Sequence, residues 1–335
     1  MDLLPSHIVT TSGRDACRAV LNNWVNRKRL ILSAFTCDSV FNAINLEADY
    51  SVSLIDISST LYPDLGELDS LAAELLSGSI LIVGNLFGIP YPDMFKSAIV
   101  ELRGRGLIVI EDRTHNLFSP KLWLNVDGWF ASGRKWIPSA GLGIYSPRPD
   151  RKTNVITYVL ASSMIIYRNF LMRVLHHSIN IDRLRNLVVK ELRRTDKFLG
   201  LKKKIIFSLG AKRLTRLGQV GQSIDQRRWE KAKAVVNNLD NIDGIDVLNN
   251  FLDPGSTPFN VTMKVAENRD ELRTYLALRK IFLPVLWTMP ESFREEYPNS
   301  WKLSRGVLSI PVDHRYGLDH LENVCNEISI FQSRK

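Results

Sequence analysis

Three short stretches of the sequence carry side chains able to bind and activate a ligand. Glu111-Asp112-Arg113-Thr114-His115 follows the apolar run Leu107-Ile108-Val109-Ile110. An acidic residue at a strand end can hold a protonated ring nitrogen. Ser132-Gly133-Arg134-Lys135 follows Gly128-Trp129-Phe130-Ala131. A lysine lodged there can be partly desolvated, which lowers its pKa and frees the amine for Schiff-base chemistry. Ser12-Gly13-Arg14 stands at a helix start, where unpaired backbone N–H groups and the helix dipole favour an anion such as phosphate. Each stretch also has an ordinary structural use. Asp112 can cap a helix or pair with a cation, Lys135 beside Arg134 can be a solvated basic pair, and Ser-Gly can be a plain N-cap. Their weight comes from occurring in this order on one framework.

That framework is an alternation of apolar runs and helical patterns up to about residue 150. Leu30 to Ala34, Val52 to Ile57, Ile80 to Gly84 and Leu107 to Glu111 have the length and composition of buried strands. Between them, Asp38 to Leu46, Leu65 to Leu76 and Asp93 to Gly104 are patterned as helices, and a first helix near Ser12-Gly13 puts Ala16, Val20, Leu21 and Trp24 on one face. Such alternation indicates βαβ units and a parallel sheet, whose ligands bind at the carboxyl ends of the strands. Trp129 to Ala131 and Gly143 to Ser146 add two short strands. Near Asp150 the composition changes. A long helical region, Ser162 to Phe198, leads into a basic segment, and from about Gln226 helices at Arg227 to Leu239, Arg269 to Lys280 and Leu318 to Ile330 alternate with short strands.

The bulk composition restricts the function class. At 335 residues the chain is long enough for one large and one smaller domain, and 45% hydrophobic with 24% charged residues is ordinary for a globular protein. Cys17, Cys37 and Cys325 are far apart and form no CxxC pair, so neither a disulfide framework nor a zinc site is indicated. His176 and His177, adjacent in a helical region, do not share a face and make no metal site. The N-terminus lacks a basic stretch followed by an apolar core, and the longest apolar run, Ile80 to Tyr91, is broken by Gly84, Asn85, Gly88 and Pro90. The sequence therefore argues for a soluble, cytoplasmic protein.

With these residues in place, the sequence resembles the DegT-like sugar aminotransferases, a branch of the fold-type-I pyridoxal-phosphate (PLP) enzymes. Ser12-Gly13-Arg14-Asp15-Ala16 is similar to the family's phosphate-binding turn, Ser33-Ala34-Phe35-Thr36-Cys37 to a strand end that closes on an aromatic residue, and Leu86-Phe87-Gly88-Ile89-Pro90 with Asp93-Met94 to its glycine–proline segment. Glu111-Asp112 with His115, Ser132 to Lys135 with Gly141 and Gly143, and Ile310-Pro311-Val312-Asp313-His314-Arg315-Tyr316 resemble three further elements. The 23-residue separation of Asp112 and Lys135 fits the same pattern. The resemblance implies a mostly parallel sheet flanked by helices in a large PLP-binding-type α/β domain (residues 1–160), a helical and basic connection (161–225), and a smaller α+β C-terminal domain (226–335). It implies that Lys135 forms the Schiff base with PLP and moves the substrate proton, that Asp112 keeps the pyridine nitrogen protonated, and that His115 contacts the ring or its phenolic oxygen. The backbone N–H groups of Gly13, Arg14 and Asp15, with Ser132, would bind the phosphate. Cys37 would lie against the ring where the family places an aromatic residue.

The implied activity is transfer of an amino group from an amino-acid donor, such as glutamate, to a nucleotide-linked keto-sugar in surface-polysaccharide biosynthesis, by a homodimer. The sequence departs from the family pattern at several points: Arg14 replaces a threonine, Cys37 an aromatic residue, Ser132 lies three residues before Lys135 rather than five, and only eleven residues precede Ser12. Cys37, Arg14 and the short stretch before Ser12 motivate the alternative of a PLP-fold protein that has lost transamination and acts as a binding or regulatory partner. A third reading keeps PLP and changes the reaction to a dehydration or decarboxylation. The net charge of +9 is concentrated between Arg183 and Arg216, where twelve Lys or Arg face only Glu191 and Asp196. That segment is either a solvated helix face or a surface for anions, namely a nucleotide-linked sugar or, through weak contact, an anionic membrane surface. No nucleic-acid-binding motif is present, and nucleic acid is not expected as a partner.

Overall fold

Residues along the central strands alternate between two buried faces, and that alternation builds the larger sheet. The computed structural model describes residues 8–10, 12–24, 26–27, 29–45, 50–59, 61–75, 78–119, 124–136, 143–146, 191, 206–207, 227–249 and 257–334. Leu30 and Leu32 of β2 (Arg29–Ser33) point to one face, and Ile31 points to the other. The same alternation runs through β4 (Ser79–Gly84) and β5 (Ile108–Asp112). Strands covered on both sides in this way read as continuous apolar runs.

With β1 (Ile8–Thr10), β3 (Ser51–Ile55), β6 (Gly128–Ser132), β7 (Gly143–Tyr145) and β8 (Ile206–Phe207), they form an eight-stranded sheet of order β3-β2-β4-β5-β6-β7-β1-β8. β3, β2, β4, β5 and β6 are mutually parallel. Helices α1 (Gly13–Leu21) and α2 (Asp38–Asn45) cover one face, and α3 (Leu65–Leu75) and α4 (Asp93–Gly104) cover the other.

The expected mostly parallel α/β sheet is thus present, with additions at its far side. β7 runs antiparallel to β6, and β1, which the sequence pattern did not reveal, pairs antiparallel with β7. Three residues are too few to display a period. The pairing is close: a Cβ at Gly143 would run into the Ser12 carbonyl and Thr10 Oγ1, so glycine is required there.

The C-terminal half carries an antiparallel sheet of order β11-β10-β9, formed by β9 (Ile245–Val247), β10 (Asn260–Val265) and β11 (Val307–Pro311). Three helices cover it: α5 (227–239), α6 (Arg269–Leu278) and the last helix of the chain, Leu318–Gln332. Their apolar faces meet around Leu239, Val261, Met263, Leu276, Leu308 and Ile328. The expected long helix and the basic segment fall almost wholly outside the described residues. Among the described residues no helix is long and apolar enough to cross a membrane, and no group of His, Cys, Asp and Glu is placed to hold a metal.

Asp56, just after β3, joins the two halves. Its carboxylate accepts from Asn299 N (2.9 Å) and Ser300 N (2.8 Å), the unpaired donors at the start of helix Pro298–Gly306, and from Ile57 N (2.8 Å). Asn299 Nδ2 donates back to the Ile57 carbonyl at 2.9 Å. Asp56→Ala leaves buried N–H groups unsatisfied and is expected to cost about 2–3 kcal/mol. Urea unfolding of the two proteins measures this, and Asp56→Asn should recover part of the loss.

Candidate active site

The parallel strands β4, β5 and β6 end side by side, with Gly84 opposite Asp112 and Asp112 opposite Phe130. Beyond these ends lies a cavity of ≈ 320 Å³, lined by Ser12, Gly13, Arg14, Cys37, Asp112, His115, Ser132 and Lys135 and, from the C-terminal half, by Trp287. Seven of the eight candidate site residues named from the sequence thus meet in one cavity. Asp15 does not line it. Its N–H donates to Ser12 Oγ (3.2 Å), its carboxylate accepts from the same hydroxyl (2.7 Å), and it pairs with Arg18 at 3.1 Å. This reciprocal cap holds the Ser12–Gly13 turn. Gly13 packs on Ser132, since a Cβ there would come within 2.8 Å of the Ser132 Cβ, which brings the start of α1 against the end of β6.

Asp112 faces the cavity because its neighbour Glu111 is held on the other side of β5. Glu111 is fully buried and accepts from Arg113 Nε (2.8 Å), Tyr91 Oη (3.2 Å), Asn116 Nδ2 (3.2 Å) and Leu124 N (3.2 Å). Asp112 itself accepts from Thr114 N at 2.9 Å. Burial raises its pKa, against the lowering effect of the Thr114 hydrogen bond and the Lys135 charge. Thr114 also ties the two loops together, accepting from Ser132 N at its hydroxyl (3.0 Å) and from Trp136 Nε1 at its carbonyl (2.7 Å).

Lys135 ends a short 3-10 turn, Gly133–Lys135, and its ammonium lies 5.3 Å from the centre of the Phe259 ring. Desolvation pulls its pKa below the ordinary lysine value; Cys37 and Asp112 oppose this and Arg134 adds to it. His115 is held neutral by burial, reinforced by the Lys135 charge. Its Nδ1 accepts from Phe87 N at 3.2 Å, so the neutral ring carries its proton on Nε2. The Phe87–Gly88 turn reaches this position through positive φ at both residues, 57° and 78°, which explains the glycine. The His115 ring stacks on Phe259 at 4.4 Å and, further off, on Trp287 at 5.8 Å.

The cavity has the features that a small aromatic phosphate needs. An amine and a carboxylate line the same space, a helix N-terminus meets a hydroxyl at one end, and the floor is open at Gly84, where a Cβ would meet nothing within 4 Å. Asn85 adds a buried Oδ1 without a partner. Its Nδ2 donates to the Ile89 carbonyl at 2.9 Å, which fixes the orientation of the amide. Sequence reasoning missed Asn85, Phe259 and Trp287. Asn85 looked like an interruption of an apolar run, and the two aromatics lie more than a hundred residues beyond Lys135 with no spacing to link them to it.

The order of strands and the position of the cavity define an α/β chain whose candidate site lies beyond the ends of its parallel strands. No protein-family model matches the sequence, and no curated protein matches it. Solved structures do match in fold. A DegT DnrJ EryC1 StrS aminotransferase from Brucella abortus is similar over 97% of this chain and 86% of its own, with a TM-score of 0.65 at 14% identity. DesV from S. venezuelae, solved in complex with a ketimine intermediate, covers 98% and 85% with a TM-score of 0.64 at 18% identity. Helicobacter pylori PseC, an aminotransferase involved in the biosynthesis of pseudoaminic acid, covers 98% and 87% with a TM-score of 0.65 at 13% identity. What the chain shares with all three is the fold.

Two outcomes follow from the site's electrostatics. His115 stays neutral in the folded protein but takes up a proton near pH 6.5 when unfolded, so its contribution to stability is present above that pH and lost as the pH falls. Below pH 6.5 the wild type should therefore lose up to about 1.4 kcal/mol per pH unit more than His115→Asn, as read from urea unfolding at several pH values. Glu111→Ala removes the carboxylate that pairs with the buried Arg113 guanidinium and is expected to cost about 3–5 kcal/mol in the same measurement near neutral pH.

Proposed function

We propose that the chain is a PLP-dependent aminotransferase that moves an amino group from an amino-acid donor to a nucleotide-linked keto-sugar in surface-polysaccharide biosynthesis. The observation that carries this reading is the half-buried Lys135 amine, held in one cavity with Asp112, His115 and the Ser12–Gly13 turn at the strand ends of this fold. The fold neighbours, described as aminotransferases, support it.

In this reading each residue has a defined task. PLP, when bound, supplies an electron sink for bond breaking at the amino carbon. Asp112 holds a proton at the ring nitrogen. The N–H groups of Gly13 and Arg14, with Ser132 Oγ, hold the phosphate, and Asp15 keeps their turn in shape. His115 donates its Nε2–H toward the ring's phenolic oxygen. Cys37 would lie against the ring. Lys135 Nζ takes a proton from the substrate carbon and returns it, a role for which desolvation suits the amine. Phe259 and Trp287 keep water from that side. We place the protein in the cytoplasm as a homodimer of two-domain chains, with residues 183–216 as the surface for weak contact with anionic lipid.

Cys37 supports a second reading, a PLP-fold protein that binds a partner without transferring an amino group. Its thiol lies 3.0 Å from Ser39 Oγ, and a thiol covers a ring less fully than an aromatic side chain. An absorbance spectrum with added PLP separates the two. The wild type should develop a visible band that borohydride abolishes, leaving a reduced adduct that peptide mass spectrometry locates on Lys135. The band should be absent in Lys135→Ala and should bleach on addition of an amino donor. No band in the wild type removes the enzymatic reading. A band that no amino donor bleaches favours the binding partner.

A further inference from the structure

Arg228 belongs to none of the motifs read from the sequence. It lies in α5, far from Lys135 along the chain, yet only 3% of it is exposed. Its Nη2 donates to the Lys135 carbonyl at 3.1 Å, and its Nη1 donates to the Phe259 carbonyl at 3.0 Å. The guanidinium plane lies 4.5 Å from the centre of the Trp136 ring. One side chain therefore ties the backbone of the lysine to that of Phe259, the residue against which both the Lys135 ammonium and the His115 ring are packed. Trp136, beneath the guanidinium, bonds back to the Thr114 carbonyl in the turn that follows Asp112.

We propose that Arg228 is a positioning residue for Lys135: it clamps the lysine's backbone to Phe259 and so fixes the amine over the ring and beside His115. The proposal rests on the reading that Lys135 is the cofactor lysine. Arginine suits the task because its planar fork reaches two separate carbonyls while its face stacks on an aromatic ring, which a lysine ammonium cannot do at once. Burial lowers the Arg228 pKa to about 10, so the group is still charged at neutral pH; the Asp313 charge favours the charged form and Arg315 opposes it. Because α5 belongs to the C-terminal half, the clamp makes the geometry of the lysine depend on how the two halves are docked.

Competitive labelling of lysines with acetic anhydride, read by mass spectrometry across pH, tests this in cofactor-free protein. In the wild type Lys135 should be half-protonated below the ordinary lysine range. In R228Q and R228K the released side chain reaches water, and its midpoint should rise by about one pH unit while other lysines in the sample stay unchanged. In amino transfer, both variants should lose about tenfold or more in kcat with little change in KM, because a displaced lysine affects the proton transfer and leaves binding intact. A folded R228Q with the wild-type midpoint and kcat overturns the proposal. If R228Q does not fold, R228K is read in its place, and the same result overturns it. Labelling needs no PLP. If the wild type forms no visible band with PLP, the aminotransferase reading falls while the labelling result on Arg228 stands.

Discussion

The fully buried carboxylate of Glu111 constrains the rest of the site. A buried charge must be met by partners inside the protein, and four donors from three parts of the chain converge on this one: Arg113 and Asn116 from the turn just beyond β5, Tyr91 from the loop before α4, and Leu124 from the segment before β6. Since successive residues of a strand point to opposite faces, fixing Glu111 on one side of β5 commits Asp112 to the other, where the cavity is. The Arg113–Glu111 pair and the Thr114 N–H bond to Asp112 then set the path of the turn that carries His115. Asp112 and His115 are placed by a residue that cannot itself reach the cavity.

The other half of the site depends on docking. Asp56 caps helix Pro298–Gly306, Asn249 Nδ2 reaches the Phe87 carbonyl at 3.2 Å, and Thr257 N donates to Ser119 Oγ at 2.7 Å. All three contacts join loops of the large sheet to the C-terminal half, and between them they bring Phe259 and Trp287 over the strand ends. Without that half the sheet would still offer Asp112, Ser132 and Lys135, but the aromatic wall that shields the lysine and stacks on His115 would be missing.

This division also explains what the sequence reveals. The strands β2 to β6 and the helices between them were legible because their apolar periods are long and each functional residue directly follows a run. Asp112, His115, Ser132 and Lys135 all stand within four residues of a strand end, where a parallel sheet is known to bind ligands. The boundaries differ by one or two residues, as at β3, Ser51–Ile55 against an expected Val52 to Ile57. β1 and the antiparallel direction of β7 were hidden, because three-residue strands show no period and direction is set by pairing. Asp15 was assigned a free N–H that the structure spends on Ser12. Arg228, Phe259 and Trp287 were invisible for another reason: their roles come from contacts across a long span of chain, and one sequence holds no record of such contacts.

The charges of the cavity show why the lysine is placed where it is. Among the described residues, Arg14, Arg134, Lys135 and the carboxylate Asp112 line it. Burial acts on both charge types at once, lowering the pKa of Lys135 and raising that of Asp112, so each is moved toward its neutral form and recovers part of the loss through the other. Arg134, next to the lysine in sequence, breaks the symmetry by disfavouring the ammonium without weakening the carboxylate. His115 cannot redress the balance, because burial and the same lysine keep it neutral. The site therefore pairs one amine and one carboxylate, each shifted by burial toward its neutral form.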